Sequence, residues 1–134
     1  MSAFSTLRRR SLLTMLASLG TVLGLPVRAA GIVANDPLPE RLAALFPHAR
    51  ASARALGIAC RRAGACAGTP QVLAEQVCAD PAERHRLTRC SVEELRAWID
   101  ARIRADFTEG RIVRVEGWML SETEARLYAL VAAG

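Results

Sequence analysis

The stretch Val113-Arg114-Val115-Glu116-Gly117-Trp118-Met119-Leu120-Ser121-Glu122-Thr123-Glu124-Ala125-Arg126-Leu127 decides the fold. Val113 and Val115 are β-branched and alternate with Arg114, the pattern of a half-buried strand. Glu116-Gly117 is a two-residue turn, with Gly free to take a positive φ. Trp118-Met119-Leu120 returns as a second short strand. Ser121 and Glu124 then stand at capping-box spacing, the Ser hydroxyl accepting from a backbone N–H and the Glu reaching back to the cap. A helix from Glu122 to about Ala132 follows. The expected unit is a β-hairpin feeding directly into the last helix, with Trp118 packed at the joint.

Working outward, helix signals dominate. Ser91 and Glu94 form another capping box. Behind it Val92, Leu95, Ile99, Ile103 and Phe107 make a continuous apolar stripe at helical spacing, with Trp98 beside it. Gly110 stops this helix, and Asp100 and Arg104 stand four apart as an ion-pair candidate. Asp80-Pro81-Ala82-Glu83 starts a helix to about Arg89. Thr69-Pro70 starts one to about Cys78, each with a cap followed by a proline at the first helical position. His48 to about Arg62 reads as an Ala-rich helix whose small side chains let a neighbour approach closely, and Glu40 to Phe46 as a short one. Gly31 to Pro37 reads as an irregular arm. The expected fold is mainly α, a small helical array with one short β-hairpin before the C-terminal helix.

The 134 residues allow at most one domain, and not all of them belong to it. Residues 1–29 read as a cleavable export signal. Arg8-Arg9-Arg10 is a positive start, Ser11 to Val27 a short apolar run, and Val27-Arg28-Ala29 a cleavage site after Ala29. Arg9, Arg10, Leu12 and Leu13 resemble a twin-arginine signal. Arg8 and Thr14 depart from that pattern, and the general secretory route is the alternative. An uncleaved membrane anchor is disfavoured because the run falls short of the ~20 apolar residues of a span. The remaining domain is 30–134.

The chain carries 18 basic residues, all Arg, against 13 acids, for a net charge of +5. Four of those Arg lie in residues 1–29, which hold no acid. The domain is therefore near neutral, 14 Arg against 13 acids, and the charge balance argues against nucleic acid or an anionic membrane as partner. The expected location is periplasmic or secreted, with the export machinery as one partner and no stable membrane insertion after cleavage.

Cys60, Cys66, Cys78 and Cys90 form an even set in a chain bound for an oxidising compartment, so two disulfides are expected. Three connectivities are open. Cys78–Cys90 is the least comfortable, because ~9 helical residues would hold them ~13 Å apart. The preferred set is Cys60–Cys90 with Cys66–Cys78. The rival is a metal or ligand site using the cysteines with His85. No Cys-x-x-Cys and no zinc-finger histidine spacing supports it. Arg84, Arg86 and Arg89 make an anion-binding face or a solvated one. Glu116, Glu122 and Glu124 cluster near the hairpin, but capping and the helix dipole explain two of them. No Gly-x-Ser-x-Gly, phosphate loop or His-Glu-x-x-His occurs. No enzyme and no cofactor is expected. An exposed Trp118, with Glu116 and Gly117 beside it, would mark a partner-binding surface.

Asp106, Phe107, Gly110, Arg111, Val113, Val115, Gly117, Trp118, Leu120, Ser121, Thr123, Glu124, Ala125, Arg126 and Leu127 together resemble the C-terminal motif of a family of small exported bacterial proteins with twin-arginine signals. A fainter match surrounds Leu56-Gly57. In layout the chain is similar to the small subunits of periplasmic flavin-dependent dehydrogenase complexes, which are helical and assist a larger subunit. It lacks that subunit family's own motifs, so the likeness is one of architecture. The missing catalytic motifs, the near-neutral domain charge and the compact helical plan together point to a non-enzymatic accessory protein or small subunit bound to a larger exported partner, such as a dehydrogenase.

Overall fold

Both capping boxes close as the sequence requires. The Ser121 hydroxyl accepts from Glu124 N at 3.0 Å and Glu124 Oε2 accepts from Ser121 N at 2.8 Å. Ser91 and Glu94 repeat this at 3.1 and 2.8 Å. In the computed structural model, which describes residues 36–134, they open the two helices that frame the hairpin. The elements are α1 (Leu38–Ala43), α2 (Arg50–Arg62), α3 (Pro70–Val77), α4 (Pro81–Leu87), α5 (Val92–Thr108), β1 (Ile112–Val115), β2 (Trp118–Ser121) and α6 (Glu122–Ala133). The protein is mainly α, with a two-stranded antiparallel hairpin before the C-terminal helix. The export-signal residues Arg9, Arg10, Leu12, Leu13 and Ala29 lie outside the described residues. No helix among the described residues is long and apolar enough to cross a membrane.

The hub is α6. No residue of this helix is exposed, and Thr123, Ala125, Leu127, Ala129, Leu130 and Val131 are buried. A helix covered on every side must be apolar or small nearly all round, which Ala125, Leu127, Ala129, Leu130 and Val131 supply. α1, α2, α3, α5 and the hairpin all pack on it. The more periodic α5 lies at the edge: Leu95 and Ile99 are buried, whereas Val92 and Phe107 at the ends of its stripe are 52% and 43% exposed. α5 is about 25 Å long and α6 about 18 Å, so α6 is too short to cover the whole stripe of α5.

α2 reaches α6 through Gly57. A Cβ placed there would lie 1.9 Å from the Tyr128 carbonyl oxygen and 2.8 Å from Ala132 Cβ. Only a residue without a side chain allows that backbone approach. α2 and α5 both end in the double hydrogen-bonded turn that a left-handed glycine permits. At the end of α2, Ala65 N donates to Cys60 O at 3.0 Å around Gly64. At the end of α5, Arg111 N donates to Asp106 O at 2.8 Å around Gly110.

α1 starts at Leu38, two residues before the expected Glu40, and ends at Ala43. Asp36 causes the early start, accepting from Leu38 N at 3.0 Å, while Pro39 falls in the first turn, where a missing N–H does no harm. α2 likewise begins at Arg50 rather than His48. The expected Asp100–Arg104 ion pair is replaced by a hydrogen bond from Arg104 Nε to the Asp100 carbonyl at 3.2 Å.

Candidate docking surface

The hairpin turn places Glu116 at φ 48° and Gly117 at φ 86°. Two consecutive positive φ values match the right-handed twist of the flanking strands. Glycine adopts this readily, but Glu116 does so at a steric penalty. Val115 pairs with Trp118 and Val113 with Leu120, so these four side chains share one face. Val115 and Leu120 are buried by that face, whereas Trp118 is 64% exposed. Trp118 is therefore not the packed joint that alternation implies. It sits at the open end of a four-residue strand. The next residue, Met119, points to the other face and is 49% exposed.

Trp118 and Glu116 stand on the lip of a groove of about 530 Å³ between the hairpin and the start of α2. Phe46, Leu56 and Tyr128 supply its apolar surface, and Ser52 and Ala53 form part of the α2 wall. The small wall residues leave room for an incoming side chain. The Phe46 and Tyr128 rings lie 5.6 Å apart at 49°, a tilted contact that fixes both. Burial pushes the Tyr128 phenol above its ordinary value, with the Glu124 charge adding to the shift, so it stays a neutral donor.

The polar residues near the hairpin are committed to the fold. Asp106 is 1% exposed. Its Oδ1 accepts from Arg111 Nε at 2.8 Å and its Oδ2 from Thr123 N at 2.8 Å, which ties the end of α5 to the start of α6. Burial opposes ionisation most strongly. Hydrogen bonding at Thr123 and the Arg111 guanidinium together outweigh it and hold the carboxyl below its ordinary value. The Thr123 hydroxyl faces the same carboxylate without ordinary hydrogen-bond geometry. Glu124 is occupied as a cap, and Glu122 pairs with Arg126 at 2.9 Å. The acidic cluster is thus two helix-start groups and one exposed turn residue. Asp106 is a functional residue of the fold that motif reasoning does not single out, although it lies seven residues beyond Ile99, on the same helical face. An acid on a buried stripe, five residues before an Arg, is the signal of such a tie.

The expected disulfides, Cys60–Cys90 with Cys66–Cys78, are not formed, and all four cysteines are free thiols. Cys78 and Cys90 make local contacts instead, Cys78 Sγ donating to Asp80 O at 3.7 Å and Cys90 Sγ to Leu87 O at 3.4 Å. Cys60 faces the core from α2. Burial, reinforced by neighbouring Cys66, pushes its thiol from the ordinary 9.0 to about 11. Burial also raises Cys66 and Cys78, so these are inert, protonated core groups.

Among the described residues no three His, Cys, Asp or Glu side chains converge where they could hold a metal ion. His85 is exposed on α4 and joins no such cluster with the cysteines. The Arg84–Arg86–Arg89 strip is mostly neutralised. Arg84 pairs with Asp36 at 2.7 Å and Glu75 at 3.5 Å, and Arg86 with Glu83 at 2.8 Å. Compared with protein-family models, with curated proteins and with solved structures, the chain matches none.

Proposed function

We propose that this protein is an exported, non-enzymatic small subunit or accessory factor that binds a larger periplasmic partner, a redox subunit such as a dehydrogenase being the leading class. Residues 1–29 act as its twin-arginine-like address. The reading is carried by one observation: Trp118 is largely exposed, beside a strained turn, at the lip of an apolar groove. A Trp held out by a rigid hairpin has the form of an interface anchor, an aromatic that gains most when a partner desolvates it. The groove behind it suits an apolar side chain of that partner.

The test is isolation of the tagged full chain from its own host under mild conditions. Co-elution with one larger exported protein in fixed stoichiometry is expected. The Trp118→Ala variant should lose that partner at least about tenfold, since truncating an interface anchor commonly weakens binding by about 2 kcal/mol or more. Elution of the unaltered protein as a lone monomer contradicts the reading.

A further inference from the structure

A second surface is defined by charge rather than by shape. No Asp or Glu occurs between Glu40 and Glu75, a stretch that holds Arg41, Arg50, Arg54, Arg61 and Arg62. The rest of the domain has nine Arg against 13 acids, a net of −4. Four of the five isolated cations lie on α2, and all four are exposed. At 100° per residue, positions 50, 54 and 61 fall within about 40° of one another, forming a row about 16 Å long, with position 62 to one side.

Elsewhere most arginines are engaged, although among the described residues Arg89, Arg102 and Arg114 have no ion pair or side-chain hydrogen bond and stand apart from one another in the sequence. Arg84, Arg86, Arg111 and Arg126 form ion pairs. Arg41 donates to the carbonyls of Thr88 and Cys90, and Arg96 to that of Leu45. Among the described residues Arg50, Arg54 and Arg62 have no ion pair or side-chain hydrogen bond, and Arg61 has one hydrogen bond, to Gly68 O at 3.0 Å. Residues 1–35 contain no Asp or Glu, so no carboxylate side chain outside the described residues can answer these cations. Two of them also stand where the fold gains nothing. Arg50 and Arg54 occupy the first turns of α2, whose positive dipole end repels cations, and α2 has neither a side-chain cap nor an acid in its first turn.

We propose that the Arg50–Arg54–Arg61 face of α2, flanked by Arg62, is a docking strip for an acidic protein segment, such as one carboxylate-lined face of a partner helix. Guanidinium groups match carboxylates in bidentate geometry and are weakly hydrated, which suits protein recognition. A lipid surface is disfavoured by the same helix. An interfacial helix needs a free apolar face, but Ala53, Gly57 and Cys60 of α2 are turned inward and buried. The proposal adds partner chemistry to the docking reading, but it rests on a different face of α2 from the groove. Failure here leaves the Trp118 test standing, and the reverse also holds.

The test uses the full chain and a helical Ala-based peptide of about 20 residues with Glu at i, i+4 and i+7 positions. Binding is expected at low ionic strength, weakening about tenfold as salt rises from about 50 to 200 mM. The R50E/R54E/R61E variant should lose at least about tenfold in affinity. The charge-matched R89E/R104E/R114E variant, at exposed arginines elsewhere, should stay within about threefold of the unaltered protein. Far-UV circular dichroism on both variants ensures that folded proteins are compared, and R50Q/R54Q, with about half the loss, serves if the reversal unfolds α2. The proposal is overturned by no binding, by equal losses in the two charge-matched variants, or by tighter binding to phosphatidylglycerol vesicles than to the peptide, which would make the strip a lipid contact.

Discussion

The seam from α5 to α6 and the helix α2 are held in opposite ways. The seam is tied by side-chain and turn hydrogen bonds: two capping boxes, a glycine-stopped turn at Gly110, and Asp106 joining Arg111 to Thr123 N. α2 has no cap, no first-turn acid and four exposed arginines, and it stays in place because Gly57 lets its backbone lie on α6. The seam is specified locally by residues a few positions apart, whereas α2 is specified by long-range packing along α6, closest at Gly57. A locally encoded region should tolerate loss of a distant neighbour better than a helix placed by tertiary packing, whose tightest point is Gly57.

The largest effect expected from breaking this contrast is at Gly57. Gly57→Ala pushes a methyl into the Tyr128 carbonyl, and backbone cannot repack as a side chain can. A loss of about 3 kcal/mol, at the upper end for overpacking, is expected in urea unfolding. A loss under about 0.5 kcal/mol would mean that α2 sits further from α6.

Next in size is a pH effect on the same helix. The folded state keeps the Cys60 proton up to about 11, whereas an unperturbed thiol releases it from 9.0. A raised pKa stabilises the fold below the unfolded value, and that stability is lost as pH rises through the folded value. Unfolding free energy should therefore fall by on the order of 2 kcal/mol between about pH 9 and pH 11. Cys60→Ala, though less stable at neutral pH, should flatten that slope. An unchanged slope in the variant would assign the alkaline loss to other groups.

The smallest effect is a gain, and it sharpens the reading of the hairpin. Glu116 holds a left-handed conformation at φ 48°. Asn tolerates that region better, so Glu116→Asn should stabilise by about 0.5–1 kcal/mol in thermal or urea unfolding. A loss of stability would show that Glu116 makes a contact the fold needs.

Much of this fold was legible in the chain because its signals are local. Ser91, Ser121, Asp80 and Thr69 each start a helix within one residue of the expected place, and all four side chains accept cap hydrogen bonds. The two-residue turn at Glu116-Gly117 is likewise where the strands predict it. Tertiary placement was less legible. The apolar stripe of α5 marked a strongly amphipathic helix, but a stripe does not report what covers its ends. α6 has no exposed residue and so shows little periodicity. Trp118 obeys strand alternation yet overhangs the sheet, because alternation says nothing about where the partner surface stops. Spacing of the four cysteines spoke only to the span across one helix and not to which helices meet in space. Of the docking surface, Trp118, Glu116 and Gly117 were readable as candidates. Phe46, Leu56 and Tyr128, brought together from three parts of the chain, were not.

The central claim is that the C-terminal motif divides its labour, with Asp106 holding the fold and Trp118 presented to the outside. Urea unfolding of Asp106→Ala and Trp118→Ala side by side tests it most directly. Removing the buried carboxylate should cost about 2–3 kcal/mol, because Arg111 and Thr123 N lose their acceptor. Removing the exposed indole should cost about 1 kcal/mol or less. Equal losses, or a larger loss for Trp118→Ala, would make the tryptophan a core residue and contradict the account.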